Sequence, residues 1–319
     1  MKAIVQDEYG PADVLGFRDV DRPAAGDGEV LLRVRAAGVD PGVWHLTRGL
    51  PYPVRLVSGL RRPKAKVPGL DVAGVVEEVG AGVTRLAVGD EVFGTCDGAF
   101  AEYAVAREDR FAPKPANLSF EQAAAVPVSA CTALQSLRDT GKVAAGQRVL
   151  IIGAGGGIGV YAVQLAAVFG AEVTGVCSTG KVELVRSLGA DHVVDYTRED
   201  FAGGFDLILD IAGNRPLSRL RRALTPSGTL VIVGGEGGGK LLQGTDRQLR
   251  ALALSPFIRQ RLCTLVSSQP LADLELLADL LAAGTVKPVV DRTFPLSGAA
   301  DAVRYLELGH STGKSVLTV

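Results

Sequence analysis

Several residue types are scarce in this chain, and their scarcity narrows the classes of protein to which it can belong. The 319 residues include four cysteines, one methionine and one tryptophan, and aromatic residues make up only 5%. The cysteines are far apart and form no C-x-x-C pair, so the sequence predicts buried reduced thiols rather than a disulfide framework or a zinc knuckle. A single methionine excludes a methionine-rich docking surface.

The chain also lacks an excess of charge of either sign and an apolar leader. Its 34 basic and 35 acidic residues give a net charge of −1, which predicts no nucleic-acid partner and no membrane partner. The N-terminus has no long apolar stretch and already carries Asp7, so the expected location is the cytoplasm. The one basic run, Arg61–Lys66, is short and broken by proline. It is interpreted as a solvated loop, with the mouth of a substrate site as the alternative.

Glycine is abundant, and its densest cluster is the most informative part of the sequence. An apolar strand, 148–152, runs into a glycine cluster at 153–159, and a helix-forming stretch follows at 160–167. Small residues let the backbone approach a pyrophosphate, and the helix N-terminus offers free N–H groups. The motif within the cluster is Ala154-x-Gly156-x-x-Gly159. The predicted cofactor contacts in this turn are Gly153, Ala154, Gly155, Gly156, Gly157, Ile158 and Gly159.

Two other interpretations of this region compete with a dinucleotide site. Residues 149–171 carry no formal charge, which fits a membrane span by hydropathy alone. The five glycines of the cluster argue against a continuous helix and favour a turn. A structural turn without a ligand is the other alternative, and the strand before and the helix after favour a nucleotide site over it.

The pattern of short segments changes near residue 122. Residues 1–122 alternate as short β-strands, with one helix expected over Pro41–Arg48. From 123 onward, strands alternate with helices, which predicts a parallel sheet with right-handed crossovers. The strand 314–319 is expected to return to the first domain. The predicted domains are therefore 1–122 plus 288–319, and 123–287.

Blocks along the whole chain resemble the medium-chain dehydrogenase/reductase superfamily, specifically its zinc-less quinone-oxidoreductase-like branch. The blocks that carry the resemblance are Pro68–Gly80, Val88–Gly94, Gly98–Tyr103, Ala123–Leu134, Leu188–Tyr196 and Gly313–Val316. The resemblance implies an α/β protein with a GroES-like β-barrel domain and a Rossmann domain, a doubly wound parallel sheet, and an active site in the cleft between them.

The residues at the family's zinc positions predict metal-free chemistry. Zinc-dependent members have a cysteine where this chain has Asp40, and Gly-His-Glu where it has 69–71, with a third ligand near Val128. Catalytic zinc normally takes three protein ligands from His, Cys or carboxylates, so no metal is predicted. Without a Lewis acid, reduction of a conjugated acceptor is easier than oxidation of a simple alcohol, because conjugation delocalises the developing charge.

The predicted function is therefore NADPH-dependent reduction of quinones or α,β-unsaturated carbonyls by hydride transfer. Two alternatives remain open. One is a reductase of simple aldehydes or ketones, and the other is a non-catalytic NADPH-binding regulatory protein.

The end of the second Rossmann strand favours NADPH over NADH. An NAD site needs an acidic residue about 20 residues after the glycine turn, and none stands there. Ser178, Thr179 and Lys181 suit a 2′-phosphate instead, with helix capping by Ser178 and Thr179 as the alternative. Tyr196 resembles a family tyrosine that reaches this phosphate. The remaining predicted cofactor residues are Gly213, Asn214 and Gly234 at strand ends, and Thr132 and Lys314 at family positions near the nicotinamide.

Three residues of the first domain are candidates for chemistry or substrate contact. Asp40 matches a position beside the nicotinamide, and capping of the helix that begins at Pro41 is the alternative. Tyr52 aligns with a tyrosine that donates a proton in related enoyl-thioester reductases, and a wall of the cleft is the alternative. Trp44 is a candidate substrate-stacking residue. For Lys314, a solvated surface lysine is the rival interpretation.

The resemblance also implies a homodimer formed through the Rossmann domain. The strand predicted over Gly228–Val233 is expected near a sheet edge, where it would pair across a two-fold axis. The apolar run Leu249–Ile258 is interpreted as a cover for the cleft or an interface, and membrane anchoring is the weaker alternative because the run is short.

Overall fold

The computed structural model describes residues 1–235, 242 and 244–319, and these form two compact units. The first unit is Met1–Cys131 with Ser268–Val319, and the second is Thr132–Ser267. The predicted domain limits, 122/123 and 287/288, assign the helix Leu271–Ala282 to the second domain. That helix belongs to the first unit, where it packs against the strand Phe111–Pro113. An alternation of strands and helices does not tell which sheet a helix covers.

The first unit is built mainly from antiparallel strands. Its strands are β1 (Lys2–Gln6), β2 (Leu15–Asp19), β3 (Glu29–Val39), β4 (Asp71–Val79), β5 (Glu91–Thr95), β6 (Tyr103–Arg107), β7 (Phe111–Pro113), β14 (Val290–Pro295) and β15 (Lys314–Thr318). Its helices are α1 (Pro41–Arg48), α2 (Arg55–Ser58), α3 (Phe120–Ala124), α9 (Leu271–Ala282) and α10 (Ala299–Glu307).

The sheet of the first unit explains why residues far apart in sequence meet. Among the described residues its main path runs β14-β15-β3-β4-β5-β7, with β6 also paired to β3. Strand β15 pairs antiparallel with β3, where Ser315 stands opposite Val39. The C-terminal strand therefore enters the N-terminal sheet. The strands enclose a core that includes Phe100 and Phe111, and the GroES-like prediction is confirmed.

The second unit is a doubly wound parallel sheet. Its strands are β8 (Arg148–Ile152), β9 (Glu172–Cys177), β10 (His192–Asp195), β11 (Phe205–Asp210), β12 (Leu224–Ile232) and β13 (Arg261–Thr264). Helix α4 (Pro127–Gln135) leads into this unit, and α5 (Gly159–Val168), α6 (Val182–Ser187), α7 (Leu217–Ala223) and α8 (Thr245–Leu254) belong to it. In the described part of the chain the strand order is β10-β9-β8-β11-β12-β13, which confirms the Rossmann prediction.

The uncharged run 149–171 is the centre of this unit. Strand β8 has four buried residues out of five, and α5 is buried from Gly159 to Ala166. A strand between two others and a helix packed along the sheet both need apolar residues on most sides. The membrane-span alternative for this run is therefore wrong. Across the described residues, no helix combines the length and apolarity that crossing a bilayer requires.

One prediction about the sheet is wrong. The strand predicted over Gly228–Val233 is β12, which lies second from the edge, paired on both sides with β11 and β13, so it is not itself an edge strand. The edge strands of the described sheet are β10 and β13. The apolar Val-Ile pair in β12 reflects burial on both faces.

Candidate cofactor and active site

The glycine turn connects the carboxyl end of β8 to α5, and its shape requires glycine at two positions. Gly153 has a φ of +93°, and its N–H donates to the Val176 carbonyl of β9 at 3.1 Å. A Cβ at Gly159 would lie 2.1 Å from the Gly153 carbonyl oxygen. Only glycine allows α5 to begin this close to the strand it follows.

The middle of the turn is open, as a phosphate cradle requires. Among the described residues, a Cβ at Gly156 would meet the Gly153 carbonyl oxygen at 3.5 Å and no other atom within 4 Å. A Cβ at Gly155 would meet the aliphatic chain of Lys181, whose Cδ lies 2.7 Å from that position. The turn thus combines free space above its backbone with a lysine beside it, and these residues fit the pyrophosphate and the adjoining phosphate of a dinucleotide.

The carboxyl ends of β11 and β12 lie next to the same edge. A Cβ at Gly213 would lie 2.5 Å from the Gly235 Cα, and one at Gly234 would lie 2.0 Å from the Ile211 carbonyl oxygen. Asn214 is exposed immediately after Gly213. In a doubly wound sheet, ligands bind in the crevice at the carboxyl ends of the strands. The structure therefore brings Gly153, Gly213 and Gly234 to one edge of one sheet.

A buried ion pair that sequence reasoning missed holds this edge together. Asp210, fully buried at the end of β11, accepts from the Gly213 N–H at 3.1 Å and pairs with Arg247 of α8. Arg247 also donates to the Gly234 carbonyl at 3.1 Å. Burial raises the pKa of Asp210, and the Arg247 charge opposes that rise. The only sequence signal was a carboxylate directly after a buried strand.

The ends of β9 and β10 form the second part of the candidate cofactor site. The Thr179 hydroxyl donates to Asp195 Oδ2 at 2.6 Å, and the Thr197 hydroxyl donates to Asp195 Oδ1 at 2.7 Å. The hydrogen bond from Thr179 lowers the pKa of Asp195. A hydroxyl has one proton to donate, so that of Thr179 is committed to Asp195. Sequence reasoning did not identify Asp195 because it is the last residue of β10 and does not stand at the end of β9.

The other predicted residues of this region lie around the same strand ends. Neither the turn Thr179–Lys181 nor α6 has a side-chain cap, so the capping alternative for Ser178 and Thr179 is wrong. Tyr196 is exposed, and its N–H donates to the Cys177 carbonyl at 3.1 Å. Ser178, Lys181 and Tyr196 thus lie around the carboxyl ends of β9 and β10. Thr132 is buried elsewhere in this unit and donates to Ser267 Oγ at 2.9 Å.

The first unit contains a buried charge cluster, made of Asp40, Asp71, Lys314 and Ser129. Lys314 Nζ donates to Asp71 Oδ2 at 2.7 Å and to Ser129 Oγ at 3.1 Å, and it lies 3.7 Å from Asp40 Oδ2. All four residues are buried. The interpretation of Lys314 as a solvated surface lysine is therefore wrong, because β15 inserts it between two carboxylates contributed by separate segments.

Asp40 has two roles in this cluster. Its Oδ1 accepts from the Gly42 N–H at 2.7 Å and the Val43 N–H at 3.2 Å, so it caps α1, as the structural alternative predicted. Its Oδ2 is buried and has no hydrogen-bond partner among the described residues. The cap fixes the carboxylate, and the second oxygen is left to interact with Lys314 through charge alone.

The carboxylates of Asp40 and Asp71 both face the Lys314 ammonium in this cluster. Burial and these neighbouring charges therefore affect the pKa values of Asp71 and Lys314. Burial raises the pKa of Asp71 to about 6, Lys314 opposes this rise and Asp40 reinforces it. Burial lowers the pKa of Lys314, but the charges of Asp71 and Asp40 outweigh burial and raise it. Lys314 therefore stays charged at neutral pH, and Asp71 takes up a proton at a higher pH than an ordinary aspartate does.

The cluster includes residues at positions where the family resemblance implied zinc ligands in zinc-dependent members. Asp40 stands at one of these positions and belongs to the cluster. Val128 stands at another, and its backbone N–H donates to Asp71 Oδ1 at 2.8 Å. Leu70 and Val128 supply apolar side chains at the other two positions. Within the described residues, no group of three His, Cys, Asp or Glu side chains is arranged to hold a metal ion.

The two aromatic candidates differ in their surroundings. Trp44 packs against the core of the first unit, and its Nε1 donates to Glu307 Oε1 at 2.6 Å. Tyr52 is exposed, with the Arg55 guanidinium 5.0 Å from its ring centre. The Trp44 Nε1 therefore has a hydrogen-bond partner within its own unit, and the Tyr52 ring makes a cation–π contact with Arg55.

Comparisons with known proteins agree with this architecture. Residues 26–116 match the alcohol dehydrogenase GroES-like domain family, and residues 188–317 match a family described as zinc-binding dehydrogenase. A 2-methylene-furan-3-one reductase of Solanum lycopersicum is 35% identical over 99% of this chain and 79% of its own length. An NADPH-dependent alkenal/one oxidoreductase of Arabidopsis thaliana is also 35% identical, with the same two coverages.

A solved structure is similar across the entire chain. The quinone oxidoreductase from Coxiella burnetii superposes with a TM-score of 0.85 at 29% identity, covering 100% of this chain and 99% of that one. Together with the two family matches, these similarities extend over both units. The chain therefore belongs to the medium-chain dehydrogenase/reductase superfamily, in its quinone-oxidoreductase-like branch.

Proposed function

We propose that the protein is an NADPH-dependent, zinc-independent oxidoreductase that reduces quinones or α,β-unsaturated carbonyls. The observation that carries the proposal is the buried cluster at the family's zinc positions. There Lys314 lies between Asp40 and Asp71, and Leu70 and Val128 replace two further ligands. A protein built this way polarises its acceptor with hydrogen bonds, and a conjugated acceptor needs the least polarisation.

The cofactor, when bound, supplies the hydride, and the protein supplies orientation and charge. The open turn above Gly156 holds the pyrophosphate against the N-terminus of α5. The glycines at the ends of β11 and β12 let the backbone approach the nicotinamide half, and Asp210 with Arg247 fixes those two strand ends. Asp40 and Tyr52 are the residues that we assign to the substrate reaction, and Trp44 to substrate contact.

A preference for NADPH over NADH follows from the ends of β9 and β10. The Lys181 side chain lies against Gly155, and the Ser178 side chain does not cap the turn that follows it, so both stand where a 2′-phosphate would bind. The Asp195 carboxylate is turned to Thr179 and Thr197, which shields it from an anion.

The Ser178→Asp variant tests this assignment. It adds a carboxylate facing the 2′-phosphate, and we expect it to weaken NADPH binding at least about tenfold while NADH binding is maintained. Fluorescence titration with both cofactors measures this, and equal or tighter NADH binding by the wild type contradicts the preference. The Thr179→Ser variant, which keeps the hydroxyl bonded to Asp195, is the control.

Zinc independence has a direct measurement. We expect elemental analysis of the purified protein to find far less than one zinc per chain, and activity to persist in the presence of a chelator. Stoichiometric zinc, or activity lost on chelation and restored by zinc, contradicts the proposal.

The reaction class is tested with a panel of acceptors. Consumption of NADPH is followed with a quinone series, an enal and enone series, and the saturated aldehydes and ketones of matching chain length. We expect turnover of the conjugated compounds and little of the saturated ones. Turnover of saturated carbonyls alone would favour the simple aldehyde or ketone reductase. Tight NADPH binding without turnover of any compound would favour the regulatory protein.

Two further properties belong to the proposal. We assign the protein to the cytoplasm and to a homodimer formed through the Rossmann unit. Exposed apolar side chains around the edge strand β13 support the dimer.

A further inference from the structure

The segment between α1 and β4 contains a concentration of positive charge that the composition of the whole chain hides. No Asp or Glu occurs between Asp40 and Asp71, whereas this stretch carries six Lys and Arg residues. We refer to residues 50–66 as the basic lobe. A net charge of −1 for the whole chain does not describe this surface, because the potential at a surface depends on charges within about 10 Å.

The basic lobe is a built structure. The Lys64 N–H donates to the Ser58 carbonyl at 2.8 Å, which closes the loop 58–64. A Cβ at Gly59 would lie 2.1 Å from the Arg62 carbonyl oxygen, so the loop is tightly folded. The Tyr9 hydroxyl donates to the Gly59 carbonyl at 2.7 Å and ties the loop to the N-terminal segment. The side chains of the loop are therefore displayed from a fixed backbone.

Three large apolar side chains of the lobe face solvent. Leu56 is 72% exposed, Val57 is 74% exposed and Leu60 is 68% exposed. All three lie within five positions of the chain, on α2 and the loop that follows it. Exposed apolar side chains that stand together and are bordered by charge mark an interaction site.

The basic side chains around this patch are not neutralised by the part of the chain that the structure describes. The exposed ones are Arg61, Arg62, Lys64 and Lys66, and none of them forms a salt bridge within residues 1–235, 242 and 244–319. The charges of Lys66 and Arg62 act on the Asp7 carboxylate, but Asp7 is paired with Arg18 at 2.6 Å. Arg55 is different, because it donates to the Gly49 carbonyl and lies against Tyr9. Four cations thus accompany three apolar side chains.

We infer that the basic lobe docks the protein on the surface of anionic phospholipid bilayers, with Leu56, Val57 and Leu60 at the depth of the headgroups and the four cations against lipid phosphates. Apolar side chains combined with basic ones bind this interface, each cation adding attraction to anionic lipid. Nucleic acid is a less suitable partner, because its phosphates would pair with the cations but leave the three apolar side chains exposed to water. A two-fold contact between two basic lobes would bring like charges together. The inference replaces the expectation of no membrane partner, which rested on net charge alone.

The test is co-sedimentation of the full chain with vesicles, without cofactor or substrate, so that its outcome is independent of the proposed reduction. Vesicles of phosphatidylcholine alone are compared with vesicles that also contain phosphatidylserine, at about 0.05 M and about 0.5 M NaCl. We expect binding to the anionic vesicles only, with loss at high salt.

Two double variants separate charge from apolar contact, and both carry changes at exposed positions. R61E/K64E reverses two charges, and L56S/L60S removes two apolar side chains. We expect each to reduce the fraction bound to anionic vesicles at least about tenfold. R107E/R250E is the matched control, since it reverses two exposed charges outside the lobe, and it should bind nearly as the wild type does. Circular dichroism and thermal melting verify that each variant is folded.

Three outcomes would overturn the inference. The first is a wild type that does not bind anionic vesicles at low salt. This result needs no variant for its interpretation, and it would favour an acidic protein as the partner of the basic lobe. The second is a loss of vesicle binding in R107E/R250E as large as that in R61E/K64E. The attraction would then come from the charge of the whole protein rather than from the basic lobe. The third is a dimer that dissociates in L56S/L60S by sedimentation velocity, which would make the patch a contact between two copies of the chain.

Discussion

Lys314 is the side chain whose surroundings most change the interpretation of the protein. It stands in the last strand, 243 positions from Asp71, yet its ammonium lies 2.7 Å from that carboxylate in a buried cluster. A buried charge is tolerated only where it is paired and hydrogen-bonded. This pairing therefore secures the C-terminal strand and places a buried positive charge between the Asp40 and Asp71 carboxylates.

The pH dependence of stability tests the protonation of this cluster. The pKa of Asp71 is about 6 in the folded protein against 3.8 as the usual value, so between these pH values the folded state holds the proton more tightly. Stability from this group is complete below about pH 4 and is lost as the pH rises through 6. We expect the unfolding free energy of the wild type to fall over this window relative to Asp71→Asn, by at most roughly 3 kcal/mol.

Urea unfolding of both proteins at several pH values between about 4 and 7 measures this difference. Asp109→Asn, which removes an exposed carboxylate, is the control and should leave the slope of the wild type unchanged. Parallel curves for wild type and Asp71→Asn would mean that Asp71 titrates at its usual pKa.

The hydroxyl of Tyr52 is the second side chain with a specific expectation. Reduction of a conjugated double bond needs a proton at the α-carbon or on the enolate oxygen, and an exposed tyrosine can donate it. Tyr52→Phe keeps the ring beneath Arg55 and should lower kcat on an enal by roughly ten- to a thousandfold, with NADPH binding unchanged. Quinone reduction should fall less, because solvent can protonate a hydroquinone.

Tyr103→Phe removes a hydroxyl from β6 and is the matched control for this measurement. If kcat/KM on every accepted enal stays within about twofold of the wild type, Tyr52 is only a wall of the site. The role in proton transfer would then pass to Asp40 or to water.

The strand-turn-helix element shows how two glycines in one motif have different physical reasons. At Gly159 a Cβ would collide with the Gly153 carbonyl, whereas at Gly156 it would enter open space. We expect Gly159→Ala to cost roughly 1–3 kcal/mol of stability through overpacking. Gly156→Ala should change stability by less than about 1 kcal/mol and yet weaken NADPH binding at least about tenfold, because the methyl group takes the room of the pyrophosphate.

Urea unfolding and NADPH titration of both variants measure the two effects separately. Gly203→Ala is the control, since its Cβ would make only ordinary contacts at 3.5 Å or more. NADPH binding by Gly156→Ala that matches the wild type would contradict the assignment of the turn as the pyrophosphate site.

Elements set by local pattern were predicted well, and elements set by assembly were not. The strand before the glycine turn and the helix at Pro41 follow from spacing and capping within a few residues, and the structure contains both. The hydrogen bond from Thr179 to Asp195 joins two strand ends, and its partner could not be identified before the strand order was known. For the same reason the Val-Ile pair of β12 suggested an edge strand, although β13 covers it.

The distribution of charge is the property of the complete molecule that composition described least well. Balanced totals of acidic and basic residues led to an expectation of no nucleic-acid partner and no membrane partner, yet residues 41–70 contain no acidic residue. Folding then exposes four cations beside three apolar side chains on one lobe. Surface chemistry of this kind depends on which side chains the fold leaves in water, and a total charge does not contain that information.

The proposed homodimer is the last expectation, and the corrected strand order relocates it to β13. This strand ends the described sheet, and helix α8 packs beside it. Close to β13 in the chain, Phe257 is 84% exposed and Val266 is 95% exposed, and Leu249 and Leu252 of α8 are also exposed. An edge strand bordered by uncovered apolar side chains favours pairing with a second copy across a two-fold axis.

Phe257→Asp combined with Val266→Asp should therefore separate the two copies. Burying two such side chains contributes roughly 3 kcal/mol or more, so we expect the dimer dissociation constant to rise at least about a hundredfold. Sedimentation velocity at micromolar concentrations, where the wild type should be dimeric, measures the change. Leu308→Asp places the same charge on an exposed apolar residue of the other unit and should leave the dimer intact. A monomeric wild type would refute the dimer. A dimer that Leu308→Asp breaks and the double variant does not would instead locate the interface on the first unit.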